Sequence, residues 1–274
     1  MNKTKLKDKF LAIDEHDAIV QNLAESVEVE WLHHYKQLKD HDPKIPVIFR
    51  SMAQRKTVRL CVQQERPYYY IDTGYLGNME KRKDWHRVVD SGMQHSEINW
   101  SVPADRFERL AENKEYLPFK GWRKHGGPIL LVTPSDKPCL FYGINRDEWL
   151  EETLTELKKH TDRPPPATPK VMRRARIGDG SLYNQLEHEN VHAVVTYNSI
   201  AATESIGFGV PAFTLAPNAA DYFCEKDLSK IESPKYAEPD EVRQWQHWLA
   251  YCQYTPFELS DGTAFRLIKE YNLK

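Results

Sequence analysis

Cysteine is scarce in this sequence, and its cysteines are not spaced for a metal site or a redox motif. Four occur among 274 residues, far apart and with no CxxC pair: Cys61, Cys139, Cys224 and Cys252. Zinc sites and thioredoxin-like motifs need closely spaced cysteines, and disulfide frameworks are typical of small secreted domains. We therefore expect four reduced thiols in a cytoplasmic protein.

Long apolar runs and a surplus of one charge are also missing. No window of about 18 apolar residues is present to span a bilayer, and residues 1–20 lack the apolar core of a signal peptide. The 40 Asp and Glu residues nearly balance the 38 Lys and Arg residues, so no global basic field favours nucleic acid. We expect a soluble protein in the cytoplasm.

Several catalytic signatures are absent. The sequence has no GxSxG nucleophile elbow, no GxxxxGK[ST] phosphate loop and no HExxH. It also has no GxGxxG after the first predicted strand, which argues against a dinucleotide-dependent oxidoreductase. His and Cys do not cluster in a metal-binding pattern, so we expect no metal site.

Apolar runs alternate with amphipathic stretches along the chain. Strands are predicted at residues 44–51, 66–78, 84–92 and 127–136. Helices are predicted at residues 52–65, 105–113, 145–162 and 181–189. Residues 1–42 are predicted as helical, because apolar side chains recur near one helical face: Ile19, Leu23, Val27, Trp31 and Leu32.

This alternation of strands and helices predicts an α/β fold with parallel sheets. It occurs in two sets, so we expect two Rossmann-like lobes, of which the N-terminal one is reduced. The expected domains are an N-terminal lobe at residues 1–125 and a second lobe at 126–240. Residues 241–274 are predicted as two helices that pack back across the lobes, with a turn at residues 260–262.

One stretch places polar side chains where an apolar strand gives way to a helix. Residues 194–217 read VVTYNSIAATESIGFGVPAFTLAP. Ligands of open α/β sheets bind at the carboxyl ends of strands, and a helix N-terminus presents N–H groups to an anion. We predict a diphosphate beside Thr196, Asn198 and Ser199, with Glu204 accepting bonds from ribose hydroxyls. Ordinary helix capping by Ser199 and a solvated or salt-bridged Glu204 is the alternative.

This stretch resembles the nucleotide-sugar-binding segment of GT-B glycosyltransferases, especially capsular-polysaccharide-type and phage-encoded enzymes. That segment has a strand, a turn rich in Thr or Ser, a helix with one Glu, and then G-x-P. The resemblance covers roughly residues 127–225. It implies a two-lobed fold and transfer of a sugar from a nucleotide sugar, a UDP-sugar above all, to an acceptor hydroxyl. No DxD ends a predicted strand, so we expect a metal-independent enzyme without a permanent cofactor.

The resemblance also implies cations for the leaving diphosphate. Relatives of the capsule type carry a basic KPHP-like motif, and the corresponding stretch RPPPATPK of this sequence lacks the histidine. Lys170 and Arg173 are the candidates by charge and position, and a solvated basic loop is the alternative. The loop at residues 216–236 follows the apolar run that begins at Val210. It offers Asn218, Asp221 and Lys226 as contacts to donor or acceptor.

The stretch YYYIDTGYLGN supplies the acceptor-side candidates. Asp72 ends a predicted strand, where a general base would take the proton of the acceptor hydroxyl; an Asx turn is the alternative. His86 is a second candidate base, or a packing residue. Gly74 would allow an acceptor to approach closely, and Tyr75 and Trp85 would stack on a sugar or a base, or else pack in the core.

Two acceptors remain open: a glycan, and DNA that carries a hydroxymethylated pyrimidine. Residues 79–87 and 118–127 mix basic and aromatic side chains, as nucleic-acid-binding surfaces do, although each is also typical of a solvated face. Two other functions are compatible with the same residues. One is a non-catalytic α/β protein that binds a nucleotide or a partner, and the other is a GT-B-type epimerase or hydrolase of nucleotide sugars.

Overall fold

The computed structural model of the protein describes residues 6–77, 84–123, 126–163 and 182–274. The strands are β1 (Leu6–Ile13), β2 (Val27–Leu32), β3 (Val47–Arg50), β4 (Tyr68–Thr73), β5 (His86–Asp90), β6 (Ile129–Val132), β7 (Ala193–Thr196), β8 (Ala212–Thr214) and β9 (Gln253–Tyr254). The helices are α1 (Ala18–Ala24), α2 (Arg55–Gln63), α3 (Asp105–Ala111), α4 (Asp136–Tyr142), α5 (Arg146–Leu157), α6 (Leu182–His188), α7 (Ala201–Phe208), α8 (Pro239–Tyr251), α9 (Pro256–Ser260) and α10 (Thr263–Tyr271). Among the helices of these described ranges, none has the length and apolar character needed to cross a membrane.

The described residues form two compact units. Unit 1 comprises residues 6–77, 84–103 and 248–274, and unit 2 comprises the described residues from 104 to 247. The division between them falls within α8. The domain boundaries near residues 125 and 240 stay predictions.

Unit 1 is built on a six-stranded sheet in the order β2-β1-β3-β4-β5-β9. The strands β1 to β4 run parallel to one another, whereas β5 is antiparallel to β4 and β9 is antiparallel to β5. The strands predicted at residues 44–51, 66–78 and 84–92 are confirmed as β3, β4 and β5, and the helix between them as α2. The predicted α/β class with parallel strands is therefore confirmed.

The prediction that residues 1–42 are helical is wrong. From residue 6 onwards the segment folds as β1, α1, β2 and a short 3-10 helix (Tyr35–Asp40), and its α-helix covers only Ala18–Ala24. The stretch VEVEWL alternates apolar and charged side chains with the period of two that fits a strand, and this pattern prevails over the helical spacing. The Asp17 carboxylate starts α1, because it accepts hydrogen bonds from the backbone N–H groups of Ile19 at 2.9 Å and Val20 at 3.2 Å.

The first sheet is larger than the expected reduced lobe. It has six strands, whereas the described part of unit 2 contains a sheet of three. Two of the additional strands, β1 and β2, come from the segment that was expected to be helical. The tail contributes β9 between its helices, and the predicted turn at residues 260–262 joins α9 to α10.

Unit 2 contains three parallel strands in the order β6-β7-β8. Val132 pairs with Thr196, and Thr196 pairs with Thr214, so the carboxyl ends of the strands meet at one edge. One apolar cluster joins the sheet to α5 and includes Leu131, Val195 and Leu157. The helix predicted at residues 145–162 is confirmed as α5, and the strand at residues 127–136 is confirmed as β6.

A glycine allows the chain to approach the end of α7 closely. The helix ends at Gly209, whose φ of 87° lies in the left-handed region. A Cβ atom at this position would lie 2.2 Å from the carbonyl oxygen of Gly121. The backbone N–H of Arg123 donates to the carbonyl oxygen of Gly209 at 2.7 Å. The segment around Gly121 therefore packs directly on the C-terminal end of α7.

We expect Gly209→Ala to lower the free energy of unfolding by about 2 kcal/mol or more, because a left-handed backbone costs an alanine about 1–2 kcal/mol and the Cβ clash adds to this. Gly143→Ala is the matched control, since Gly143 ends α4 at a φ of 71° and no described atom lies within 4 Å of an added Cβ. Urea unfolding measures both variants, and equal losses would contradict the close packing at Gly209.

Candidate functional site

The predicted diphosphate site lies where β7 passes into α7, at the carboxyl edge of the unit 2 sheet. Thr196 is fully buried there. Its hydroxyl donates to the carbonyl oxygen of Val132 at 3.0 Å and accepts from the backbone N–H of Ser199 at 3.4 Å. Thr196 therefore ties β7 to β6 and shapes the turn from beneath.

Ser199 is half-buried just before the first residues of α7. Its Oγ accepts from the backbone N–H of Ala201 at 3.2 Å, a local bond of the kind that serine forms in turns. Its carbonyl oxygen accepts from the backbone N–H of Ala202 at 3.2 Å. A hydroxyl that accepts in this way still carries a proton that it can donate. This local hydrogen bond and ligand binding are therefore compatible at this residue.

Asn218 holds the loop after β8 against the same turn. Its buried side chain donates from Nδ2 to the carbonyl oxygen of Ser199 at 2.8 Å. Its Oδ1 accepts from the backbone N–H of Ala220 at 3.0 Å and from the Thr203 hydroxyl at 3.3 Å. Because these three bonds are internal, Asn218 acts as a structural clamp on the start of α7.

Asn198 connects the turn to α4, a helix that the sequence analysis missed. The Asn198 side chain is buried and lies beside the phenol of Tyr142. Burial raises the pKa of Tyr142, and the neighbouring Asn198 side chain opposes that rise. The Tyr142 ring also packs edge-on against Tyr197 at 5.2 Å. The sequence signals for α4 were Ser135 at its start and a glycine at its end.

Glu204 lies in the first turn of α7 and is half-buried. A carboxylate at this end of a helix is stabilised by the helix dipole. Burial, and then the charge of Glu204, raise the pKa of the nearby Tyr183 phenol. Lys170 and Arg173, the predicted cations for the leaving diphosphate, lie outside the described residues.

In unit 1, Asp72 lies near the carboxyl end of β4, directly opposite Arg87 of β5. The distance from Arg87 Nη2 to Asp72 Oδ2 is 3.4 Å, and the side chains are 3% and 27% exposed respectively. The Tyr70 hydroxyl donates to the same oxygen at 2.7 Å, and the backbone N–H of Thr73 donates to Oδ1 at 2.7 Å. The Asp72 carboxylate is thus fixed in orientation while part of it reaches solvent, as a general base requires.

The other acceptor-side candidates lie near Asp72 with different degrees of burial. His86 and Tyr75 are core residues, 2% and 1% exposed. A Cβ atom at Gly74 would lie 2.8 Å from Oε1 of Gln253, so that side chain occupies the space beside the glycine. Trp85 is half-buried. Of these four residues, Trp85 is the one with accessible surface, and the binding roles of all four stay predictions.

The sequence analysis also missed Arg87 and His95, which complete this buried network. The Arg87 guanidinium lies over the Tyr75 ring at 5.1 Å, and Nδ1 of His95 lies 3.0 Å from the Tyr75 hydroxyl oxygen. Burial and the charge of Arg87 lower the pKa of His95 to about 3, against the opposing effect of the Val88 backbone. The signal for Arg87 was a charged residue within the apolar strand HRVVD.

The chemistry-bearing side chains do not suggest a metal centre in the described ranges. No three or more His, Cys, Asp or Glu side chains of these residues are grouped so that they could hold an ion. The polar groups at the α7 start are instead hydroxyl, amide and carboxylate groups, which suit hydrogen bonds to phosphate and sugar oxygens.

No family model and no curated protein matches this sequence. Among solved structures, the chain is similar to Thermosulfurimonas dismutans KpsC, a beta Kdo 2,7 transferase, with a TM-score of 0.54 and 13% identity. The alignment covers 96% of this chain and 99% of that chain. The chain has a glycosyltransferase-like fold. A second KpsC structure, a beta Kdo 2,4 transferase, aligns with a TM-score of 0.48 and 12% identity over 94% of this chain and 98% of that one.

We expect His95 to make the protein less stable as the pH falls from about 6.5 towards 3. Unfolded His95 has the ordinary pKa of 6.5 and takes up a proton that the folded residue, with a pKa of about 3, does not bind. The free energy of unfolding should therefore fall by about 1.4 kcal/mol per pH unit on account of this residue. Urea unfolding at about pH 5 to 6, where ordinary carboxyl groups are mostly ionised and an unfolded histidine is mostly protonated, measures this slope.

In His95→Gln the slope should be reduced by that amount, because glutamine does not titrate. His16→Gln is the control, since His16 is 90% exposed and should leave the slope unchanged. The same slope in His95→Gln and in the unmodified protein would contradict the burial of a neutral His95.

Proposed function

We propose that the protein is a glycosyltransferase of the two-lobed GT-B type. It transfers a sugar from a nucleotide-sugar donor to an acceptor hydroxyl, without a bound metal or a permanent cofactor. One observation carries this proposal: half-buried Ser199 and Glu204 lie at the start of α7, at the carboxyl edge of a parallel sheet. The glycosyltransferase-like fold over 96% of the chain supports it.

We assign binding of the nucleotide-sugar donor to unit 2. The partial positive charge at the start of α7 would attract the diphosphate, and the Ser199 hydroxyl would donate to a phosphate oxygen. The Glu204 carboxylate would accept hydrogen bonds from the ribose hydroxyls. The burial of Thr196 and Asn198 supports a role for both residues in holding this turn in shape. We assign to Lys170 and Arg173 the stabilisation of the negative charge that develops on the leaving diphosphate.

Unit 1 is assigned the acceptor, with Asp72 as the general base. The acceptor oxygen bonds to the anomeric carbon while the sugar–phosphate bond breaks, and the electron pair of that bond leaves with the nucleotide. Asp72 takes the proton that the acceptor hydroxyl loses. The three donors that orient this carboxylate support the assignment. His86 is the second candidate base, Trp85 is assigned to stack on the acceptor, and Gly74 and Tyr75 would support that surface from within.

The donor that we propose first is a UDP-sugar, and the acceptor that we propose first is a glycan. The KpsC structure that aligns with a TM-score of 0.54 is a Kdo transferase, which makes a Kdo-linked nucleotide the second donor to test. DNA that carries a hydroxymethylated pyrimidine is the second acceptor. The near balance of charge in the chain favours the glycan, because duplex DNA is bound through neutralisation of its phosphates.

We expect one of the UDP-, GDP- or CMP-linked sugars to raise the melting temperature of the full chain, with or without magnesium. A donor at 100 times its Kd stabilises the protein by about 2.7 kcal/mol. Glu204→Ala should weaken binding about tenfold, because charge-assisted hydrogen bonds to ribose are lost. Glu151→Ala, at an exposed position of α5, is the control and should bind as the unmodified protein does.

The absence of a shift with every donor, or equal binding by the two variants, would contradict the proposed donor site. A donor that binds is then assayed for transfer to glycans and to hydroxymethylated DNA. Turnover without an acceptor would favour the epimerase or hydrolase, and binding without any turnover would favour the non-catalytic protein.

A further inference from the structure

We propose that Arg87 is a positioning residue that holds Asp72 as an oriented carboxylate, with the Tyr70 hydroxyl as its assistant. The consequence for sugar transfer rests on the proposed function, whereas the arrangement itself rests on the contacts of described residues.

Arg87 is almost completely removed from water, and its donors are directed to protein acceptors. Nη1 donates to the carbonyl oxygen of Thr73 at 2.6 Å, and Nε donates to that of Met93 at 3.4 Å. Nη2 lies 3.4 Å from Oδ2 of Asp72. A buried charge is tolerated only when it is paired and hydrogen-bonded, so the two carbonyl groups fix the guanidinium and Asp72 supplies the opposite charge.

The antiparallel register of β4 and β5 produces this pair. Asp72 and Arg87 are direct cross-strand partners, so their side chains project from the same face of the sheet. Tyr70 lies two residues before Asp72 on that face and donates to it at 2.7 Å. The cation and the phenol therefore converge on one carboxylate oxygen, which orients the whole group.

The charge of Arg87 favours the ionised form of Asp72. Among the described contacts of Asp72 are Arg87 of β5 and Tyr70 of β4; Tyr75 lies behind Arg87, and Tyr75 is in turn backed by His95 and Cys252. The Asp72 charge raises the pKa of Arg87 against the effect of burial, and the same attraction stabilises the Asp72 anion. Burial and Asp72 raise the pKa of Tyr70 well above its ordinary value, so this phenol stays protonated and able to donate.

Two buried phenols offer a matched pair of variants. Tyr70→Phe removes the hydroxyl that donates to Asp72, whereas Tyr75→Phe removes one that is bonded to His95 instead. We follow the Asp72 carboxyl by 13C NMR in the full chain, with Asp72→Asn to assign its signal. Tyr70→Phe should raise the titration midpoint of Asp72 by about one pH unit, because a hydrogen bond to a charged acceptor is lost. Tyr75→Phe should leave the midpoint in place.

Arg87→Met should raise the midpoint further than Tyr70→Phe does, and Arg87→Lys should restore part of the difference, because it returns the charge without the planar fork. If Arg87→Met does not fold, the two phenol variants decide the question. Equal midpoints in Tyr70→Phe and Tyr75→Phe would overturn the proposal.

Once a donor and an acceptor are known, the acid limb of kcat/KM provides the second readout. The pH midpoint of that limb should rise in Tyr70→Phe by the same amount as the NMR midpoint. It should not change in Tyr75→Phe, whatever the effect of that substitution on the rate. Transfer that survives in Asp72→Asn would overturn the role of Asp72 in catalysis. An NMR shift without transferase activity towards any donor would support the positioning by Arg87 and count against the proposed function.

Discussion

A guanidinium group that is taken out of water needs an opposite charge and several hydrogen-bond acceptors, and this need organises the carboxyl end of β4 in unit 1. Arg87 meets it with Asp72, two backbone carbonyl groups and the faces of Tyr70 and Tyr75. The same contacts that make the buried cation tolerable also orient the carboxylate that we assign to catalysis. Burial, and then the same charge, lower the pKa of His95 and keep its imidazole neutral, so Arg87 also bears on the stability of this unit.

In unit 2, neutral side chains rather than an ion pair hold the candidate site in shape. At the start of α7, the buried side chains of Thr196 and Asn218 satisfy backbone groups of the turn. Thr196 and Asn218 hold the turn in shape, whereas Ser199 and Glu204 are half-buried at the edge of the sheet. A ligand would meet a turn that is already in place, and preorganised donors and acceptors of this kind lose little entropy on binding.

Local sequence pattern predicted the elements in which a single periodicity dominates. The apolar run that became β6 and the capped amphipathic stretch that became α5 are of this type. Two periods compete in the first 42 residues, and the alternation in VEVEWL is decisive only once β1 is present to pair with it. The helix α4 was not predicted for another reason. It is short and has no buried residue to mark an apolar face.

By itself, the sequence determined the α/β class and the polar turn at the end of β7, and it marked Asp72 as a carboxylate at a strand end. These properties depend on neighbours in the chain, namely apolar alternation, capping residues and a helix that follows a strand. Only the tertiary structure decided that Arg87 lies beside Asp72, that Asn218 clamps Ser199, and that Tyr75 is a core residue. Each of those contacts joins residues 15 or more positions apart, through a strand direction or a loop course that no local pattern encodes.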